Sequence, residues 1–340
     1  MTKLLTLIFI ISSLFIFGFN YNDRTVISKI TPPKNWPKPN YNFENNPITE
    51  AGFKLGRKLF YDPGLSRNNT ISCAHCHLQY TGFAHVDHRV SHGIDGKKGT
   101  RNAPALINLI WNTSFHWDGG VNHIELQPIN PIEHPAEMDN SLINVLNYLN
   151  SSETYTALFF EAFNDSIVSS SSFLKALTQF TGSLISSNSK YDQYLKKDRS
   201  FTQQEENGLK LFKKNCNNCH TAPLFNSNRF ENNGIPIDTL FNDLGRYKIT
   251  NNPLDSLKFR VPTLRNIEFT FPYMHDGRYK TLRQVIDYYT EDINIKNPQL
   301  SPQLRKKIVL SSNEKKDLIA FLKTLTDKDF LYNKRFSFPR

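Results

Sequence analysis

Twice in 340 residues the chain sets two cysteines three positions apart and follows the second with a histidine, as Cys73-Ala74-His75-Cys76-His77 and as Cys216-Asn217-Asn218-Cys219-His220. On one helical turn, two thiols at that spacing reach the two vinyl groups of a haem and the next imidazole reaches its iron, so five residues fix the cofactor and one axial ligand. A zinc knuckle, a redox-active dithiol or plain disulfides would use the cysteines, but none of them requires a histidine after the second cysteine at both sites. The two motifs consume all four cysteines of the chain. The expectation is a chain with two covalently bound c-type haems.

The N-terminus agrees with the compartment in which such haems are attached. Lys3 precedes a run from Leu4 to Phe19 made mostly of Leu, Ile and Phe, which reads as the basic region and apolar core of an export signal over residues 1–20. The run is short for a bilayer span and ends Phe17-Gly18-Phe19-Asn20-Tyr21 without a small-x-small cleavage site. Two expectations therefore stand, a cleaved signal and a retained N-terminal anchor. Both give a periplasmic protein, in the second case tethered to the inner membrane. Apolar residues at 39% with 13% aromatic are enough for real cores and exclude a disordered chain. The formal net charge of +10 falls to roughly +6 once four haem propionates are counted, a basic excess compatible with steering toward an acidic redox partner. Scattered solvated lysines explain it equally well. No basic stripe interleaved with aromatics points to nucleic acid.

Residues 21–46, with Pro32, Pro33, Pro37 and Pro39, read as an extended arm. Beyond the arm helical patterns dominate, with Thr49 capping a helix through Phe60, Leu142, Val145, Leu146 and Leu149 at helical spacing, an amphipathic stretch Phe173 to Ile185, and a Ser311/Glu314 capping box ahead of Leu318, Ile319, Leu322 and Leu325. A weak internal repeat divides the chain. Gly56-Arg57-Lys58-Leu59-Phe60 precedes the first cysteine motif and Gly208-Leu209-Lys210-Leu211-Phe212 the second, the latter opened by Thr202 and Glu205. The fold class expected is all-α, with two cytochrome c-like haem domains, 47–190 and 191–340, joined at a haem-bridging interface. The polar stretch from Ser186 to Ser200 marks the boundary.

Several further motifs stand in a particular order: Leu59 to Ser66, Ser72 to His77, Arg101-Asn102-Ala103-Pro104, Trp117-Asp118-Gly119, Glu137-Met138, Val261 to Asn266, and Pro272-Tyr273-Met274-His275-Asp276-Gly277. In these, from about residue 47 to 326, the chain resembles the bacterial di-haem cytochrome c peroxidases and their relatives of the MauG type. The resemblance implies that the haem on Cys73, Cys76 and His77 reacts with hydrogen peroxide. It implies Glu137 as the acid–base group, since peroxide must lose a proton on binding and the departing oxygen must gain one. Gln127 matches the pocket glutamine, and Trp117 the aromatic ring that relays electrons between haems. His92, in a loop with Gly93, Gly96 and Gly99, resembles the resting-state sixth ligand of the peroxidatic haem; glycines suit a loop that must move. The haem on Cys216, Cys219 and His220 resembles the electron-accepting site.

One position departs from the better-known peroxidases of the family, which place a methionine fourteen residues after the histidine of the Pro-Tyr-x-His-Asp-Gly motif. Here Tyr289 stands there, the MauG-like choice, and Leu282, Val285, Ile286 and Tyr289 share one face of a helix capped by Thr281. A packed core tyrosine is the plainer explanation, and Met274 is the fallback ligand. A tyrosinate favours ferric iron, whereas methionine raises the potential. The resemblance also implies a calcium ion held by the Asn102 side chain and the carbonyls of Thr270 and Pro272. Arg101, Arg260 and Arg265 read as propionate partners or as surface charges. Three functions remain in view. The leading one is an oxidoreductase that reduces peroxide with electrons from a small cytochrome c or copper protein. The others are a MauG-like enzyme that oxidises residues of a partner protein, and a plain electron carrier. A homodimer would fit the family.

Overall fold

The computed structural model describes residues 31–339; the export segment and the beginning of the arm lie outside the described residues. The Thr49 side chain accepts from the Gly52 N–H and starts the helix Glu50–Phe60, which packs on the helix Ser170–Thr181. The two backbones approach so closely that a Cβ on Gly56 would lie 1.9 Å from the carbonyl oxygen of Ala176. One turn later Phe60 meets Phe180, with ring centroids 5.0 Å apart. The second half repeats this arrangement. A Thr202–Glu205 capping box opens the helix Gln203–Asn215, which packs on the helix Ser312–Lys323. A Cβ on Gly208 would lie 2.0 Å from the Asp317 carbonyl oxygen, and Phe212 meets Phe321 at 5.0 Å. The short repeat read in the sequence is thus a repeated helix crossing. Glycine permits the approach, and the phenylalanine one turn on fills the core beneath it.

Each crossing sits in its own apolar core, one containing Phe53, Phe60, Phe173 and Phe180, the other Tyr191, Phe212, Phe225 and Phe321. The described chain is mostly helical, with one short antiparallel pair, β1 (Phe230–Glu231) and β2 (Phe259–Arg260), in the register Phe230↔Arg260. In the second half the cysteine motif begins directly after Asn215. In the first, a turn at Pro63–Leu65 intervenes, and the Ser66 hydroxyl accepts from the N–H groups of Thr70 and Ile71.

Two expectations about domain limits change. The Ser-rich boundary is a buried joint, because Ser186 and Ser189 are fully buried. Ser186 exchanges hydrogen bonds with Asn108 and donates its hydroxyl to Asp327, while Asp192 takes two hydrogen bonds from Arg265 at 2.8 Å each. The end of the chain does not stay with the second core. Phe330, Leu331 and Phe336 return to pack into the first core, so 191–340 is not one contiguous unit. The arm is pinned too. Asn40 and Tyr41 donate backbone N–H groups to the Ile110 carbonyl, and Trp111 donates its indole N–H to Pro37.

Because the obstacle at Gly208 is backbone, Gly208→Ala cannot be relieved by a side-chain rotation. It should cost about 1–3 kcal/mol in urea denaturation of the haem-loaded protein, whereas Lys210→Ala on the exposed face of the same helix should stay within about 0.5 kcal/mol.

Candidate functional site

The two histidines that follow the cysteine pairs are prepared alike. His77 directs Nδ1 at the Phe83 carbonyl, 2.7 Å away. His220 directs Nδ1 at the carbonyls of Phe225 and Pro262, at 3.2 and 3.1 Å. Each ring is thereby oriented with Nε2 left over, the arrangement found in histidines that ligate metals. Burial lowers both to about 4, so both are neutral near pH 7, as ligation requires. No disulfide joins the four cysteines.

Trp117 stands at the seam between the two halves. It is buried, donates its indole N–H to the Asn102 carbonyl at 2.8 Å, and accepts at its own carbonyl from the Arg260 N–H at 2.7 Å. It shares one large cavity with Cys216, Cys219, His220, Arg260 and Tyr289. The three arginines separate by partner. Arg101 binds Asp118 at 2.5 Å and Asp243 at 2.5 and 2.9 Å. Arg265 is fully buried, committed to Asp192, and lies under Trp36, 4.6 Å from the ring centroid. Its charge is matched by Asp192, and it is not among the residues that line the cavity. Arg260 is buried in the cavity wall, its Nε donating to the His116 carbonyl at 3.3 Å. Burial alone lowers it to about 10. A buried cation of that kind calls for an anion.

On the other side, Glu137 follows the turn that carries Gln127 and the helix Ile129–Glu133. Desolvation raises its carboxyl above the usual range, opposed by His134 at 3.8 Å. It is close enough for its charge to act on the Cys76 thiol. Gln127 is half-buried on the same turn. The loop that holds His92 is locked to Glu137 through its backbone, because the Ile94 N–H donates to the Glu137 carbonyl at 2.7 Å and a Cβ on Gly93 would lie 2.4 Å from the Glu137 Cα. The His92 ring packs on His88, centroids 4.2 Å apart, and His88 on His85. Of this imidazole column the sequence marked only His92; His85 and His88 look there like ordinary loop residues.

Tyr289 and Met274 both line the cavity. The Thr281-capped helix Leu282–Asp287 runs into a π-helical turn, Tyr288–Asp292, so Tyr289 reaches the cavity from a widened turn and not from a regular helix face. Burial pushes its phenol up to about 12, opposed by a hydrogen bond from Asn233. Asn102, Thr270 and Pro272 also meet on this cavity's wall. Among the described residues no cluster of three or more His, Cys, Asp or Glu forms a metal site.

Residues 50–200 match the di-haem cytochrome c peroxidase family. The methylamine utilization protein MauG of Methylorubrum extorquens is 33% identical over 299 residues, 86% of this chain and 82% of that protein. The cytochrome c551 peroxidase of Nitrosomonas europaea is 33% identical over 80% of this chain and 79% of its own length. The chain belongs to the di-haem cytochrome c peroxidase family. The crystal structure of a MauG-like protein associated with microbial copper homeostasis superposes with a TM-score of 0.83 at 34% identity, covering 90% of this chain and 98% of that one.

Two haems come with this family, and the residues present fit them. Each half of the peroxidase offers a half-buried neutral imidazole held through Nδ1 beside two cysteines, and Arg260 offers a buried cation that fits a propionate. The Arg101–Asp243 pair ties the loop before Trp117 to the second half. Burial opposes the charge of Asp243, but Arg101, the Gly245 N–H and Lys248 together bring its pKa down to about 2. A carboxyl whose folded pKa lies below its unfolded value stabilises above the unfolded pKa and loses that contribution as pH falls through the folded one. Asp243→Asn should therefore remove about 2 kcal/mol of stability at pH 7 and flatten the loss of stability between about pH 4 and pH 2, read from denaturation midpoints across that range.

Proposed function

We propose that this peroxidase reduces hydrogen peroxide to water at the haem attached through Cys73 and Cys76 and ligated by His77. Electrons come from a small cytochrome c or copper protein by way of the haem on Cys216, Cys219 and His220. The observation that carries this reading is the place of Glu137, whose backbone is packed on the His92 loop that in turn contacts Cys76 of the first cysteine motif. When bound, the N-terminal haem supplies the iron at which the oxygen–oxygen bond is cleaved. Glu137 takes a proton from the incoming peroxide and returns it to the departing oxygen. Two protons and two electrons per peroxide give two waters, and a carboxyl with a raised pKa suits both directions of transfer. Gln127 orients the peroxide. Trp117, bonded to both halves of the chain, relays electrons between the sites. His92 would be the residue that holds the iron of the first haem at rest, on a loop bonded through its backbone to Glu137. Arg260 pairs with a propionate. Asn102, Thr270 and Pro272 hold a calcium ion between the halves, with water completing its shell.

The protein works as an exported, periplasmic enzyme, either freed from its signal or tethered by it. Its surplus of positive charge steers an acidic donor. Tyr289 on the cavity wall favours a second reading, in which the C-terminal haem carries a tyrosinate and oxidising equivalents pass to residues of a partner protein, as in MauG-like enzymes. A plain electron carrier would leave Glu137 without a task.

Glu137→Gln should lower steady-state peroxide turnover with a reduced cytochrome donor by about 10²–10⁴-fold at unchanged haem content; turnover at the wild-type level would remove Glu137 from the mechanism. Tyr289→Phe should alter the ferric spectrum of the C-terminal haem. A methionine–iron charge-transfer band present equally in wild type and Tyr289→Phe would assign the position to Met274 and end the tyrosinate reading.

A further inference from the structure

Asn233 lies in the loop after β1, on the wall of the C-terminal haem cavity, with no motif of its own in the sequence. Its side-chain nitrogen is 3.3 Å from the Tyr289 hydroxyl oxygen and 3.7 Å from the Met274 sulfur. A single amide thus faces both candidates for the sixth ligand. The loop around it is rigidly held. The Asn232 N–H donates to the Ser301 hydroxyl, the Gly234 N–H to the Asn232 side-chain oxygen, and the Tyr288 hydroxyl to the Asn233 carbonyl at 2.9 Å. The Ile235 N–H approaches the Asn233 side-chain oxygen at 3.4 Å, which fixes which end of the amide turns toward the cavity. Gly234 has φ +77, and a Cβ there would press on Leu300, so the loop has no freedom to turn the amide away.

The π-helical turn completes the geometry. Consecutive residues of a regular α-helix diverge by about 100°, yet Tyr288 and Tyr289 both reach Asn233, one at its carbonyl and the other at its amide. A widened turn permits this, and such turns concentrate at functional sites.

We infer that Asn233 is a positioning residue for the C-terminal haem, donating one amide N–H to the Tyr289 oxygen and so setting both the direction of that oxygen and its strength as a ligand to the iron. This rests on the reading of Tyr289 as the sixth ligand. A hydrogen bond donated to an axial oxygen draws electron density from it and weakens its preference for ferric iron. Without the donor the oxygen is the stronger ligand and the ferric state gains.

The test uses the full-length haem-loaded protein and four variants, Asn233→Leu, Asn233→Gln, Tyr289→Phe and the double variant Asn233→Leu/Tyr289→Phe, followed by reductive titration of the C-terminal haem and by electron paramagnetic resonance of its low-spin ferric signal. Asn233→Leu should shift the ferric/ferrous equilibrium about tenfold toward ferric, 59 mV for one electron, and displace the ferric signal. Asn233→Gln, which keeps an amide, should restore part of both. In the Tyr289→Phe background Asn233→Leu should have no further effect. If Tyr289→Phe changes the ferric signal while Asn233→Leu leaves potential and signal at wild type, the role of Asn233 is overturned and the tyrosine ligand stands. If Tyr289→Phe itself changes nothing, the ligand reading falls and the inference falls with it. Haemochrome content of each variant reports whether both haems are still attached, and Asn233→Gln provides the readout should Asn233→Leu fail to fold.

Discussion

Two helix crossings hold this protein in shape, and each depends on a missing side chain. At Gly56 and Gly208 the partner backbone comes so close that a Cβ would lie within 2.0 Å of a carbonyl oxygen. That proximity lets Phe60 and Phe212 reach Phe180 and Phe321 one turn further on. The gain is core density, since closely packed aromatic rings contribute through burial and ring contacts together. In the second half the crossing delivers the chain directly to Cys216. In the first, the turn at Pro63–Leu65 intervenes before Cys73. Backbone sterics thus bring the chain to the two cysteine–histidine motifs, and the hydrogen bonds of His77 and His220 then orient their rings.

The halves are then joined by polar groups that have little choice of partner. Ser186, Asn108, Asn266 and Asp327 form one buried network across the seam, and within the second half Arg265 is paired with Asp192. Removing one member of such a pair leaves an uncompensated buried group, which costs far more than the pair contributes. This rigidity bears on function, because Trp117 hangs from Asn102 on one side and Arg260 on the other. Arg260 differs from Arg101 and Arg265 in having no carboxylate partner among the hydrogen bonds and ion pairs of the described residues. Its desolvated charge on the cavity wall is of the kind that an anionic group would satisfy.

How much of this was legible beforehand depends on the range of the interaction. Caps were readable because they are local: Thr49, Thr202, Thr281 and Ser311 each bond within three residues. The repeated Gly-x-x-Leu-Phe was visible as a pattern, but its meaning was not, since Ala176 and Asp317 lie more than one hundred residues away from the glycines they crowd. The helix Glu153–Phe163 and the π-helical turn at Tyr288 carried no signal that was read. Asn233 could not have been selected from a run of polar residues, because only folding brings it to Tyr289 across 56 positions.

The sequence by itself determined that two cysteine pairs each precede a histidine, that the chain is mostly helical, and that its motifs are those of the di-haem peroxidases. All of these rest on contacts spanning a few residues, whose geometry the covalent chain already dictates. The tertiary structure alone decided that the Ser-rich boundary is buried, that the C-terminal tail returns to the first core, and which of three arginines keeps an unmatched charge. Those outcomes turn on which distant groups compete for the same partner. Ser186 and Asp327, 141 positions apart, find one another only when the halves close.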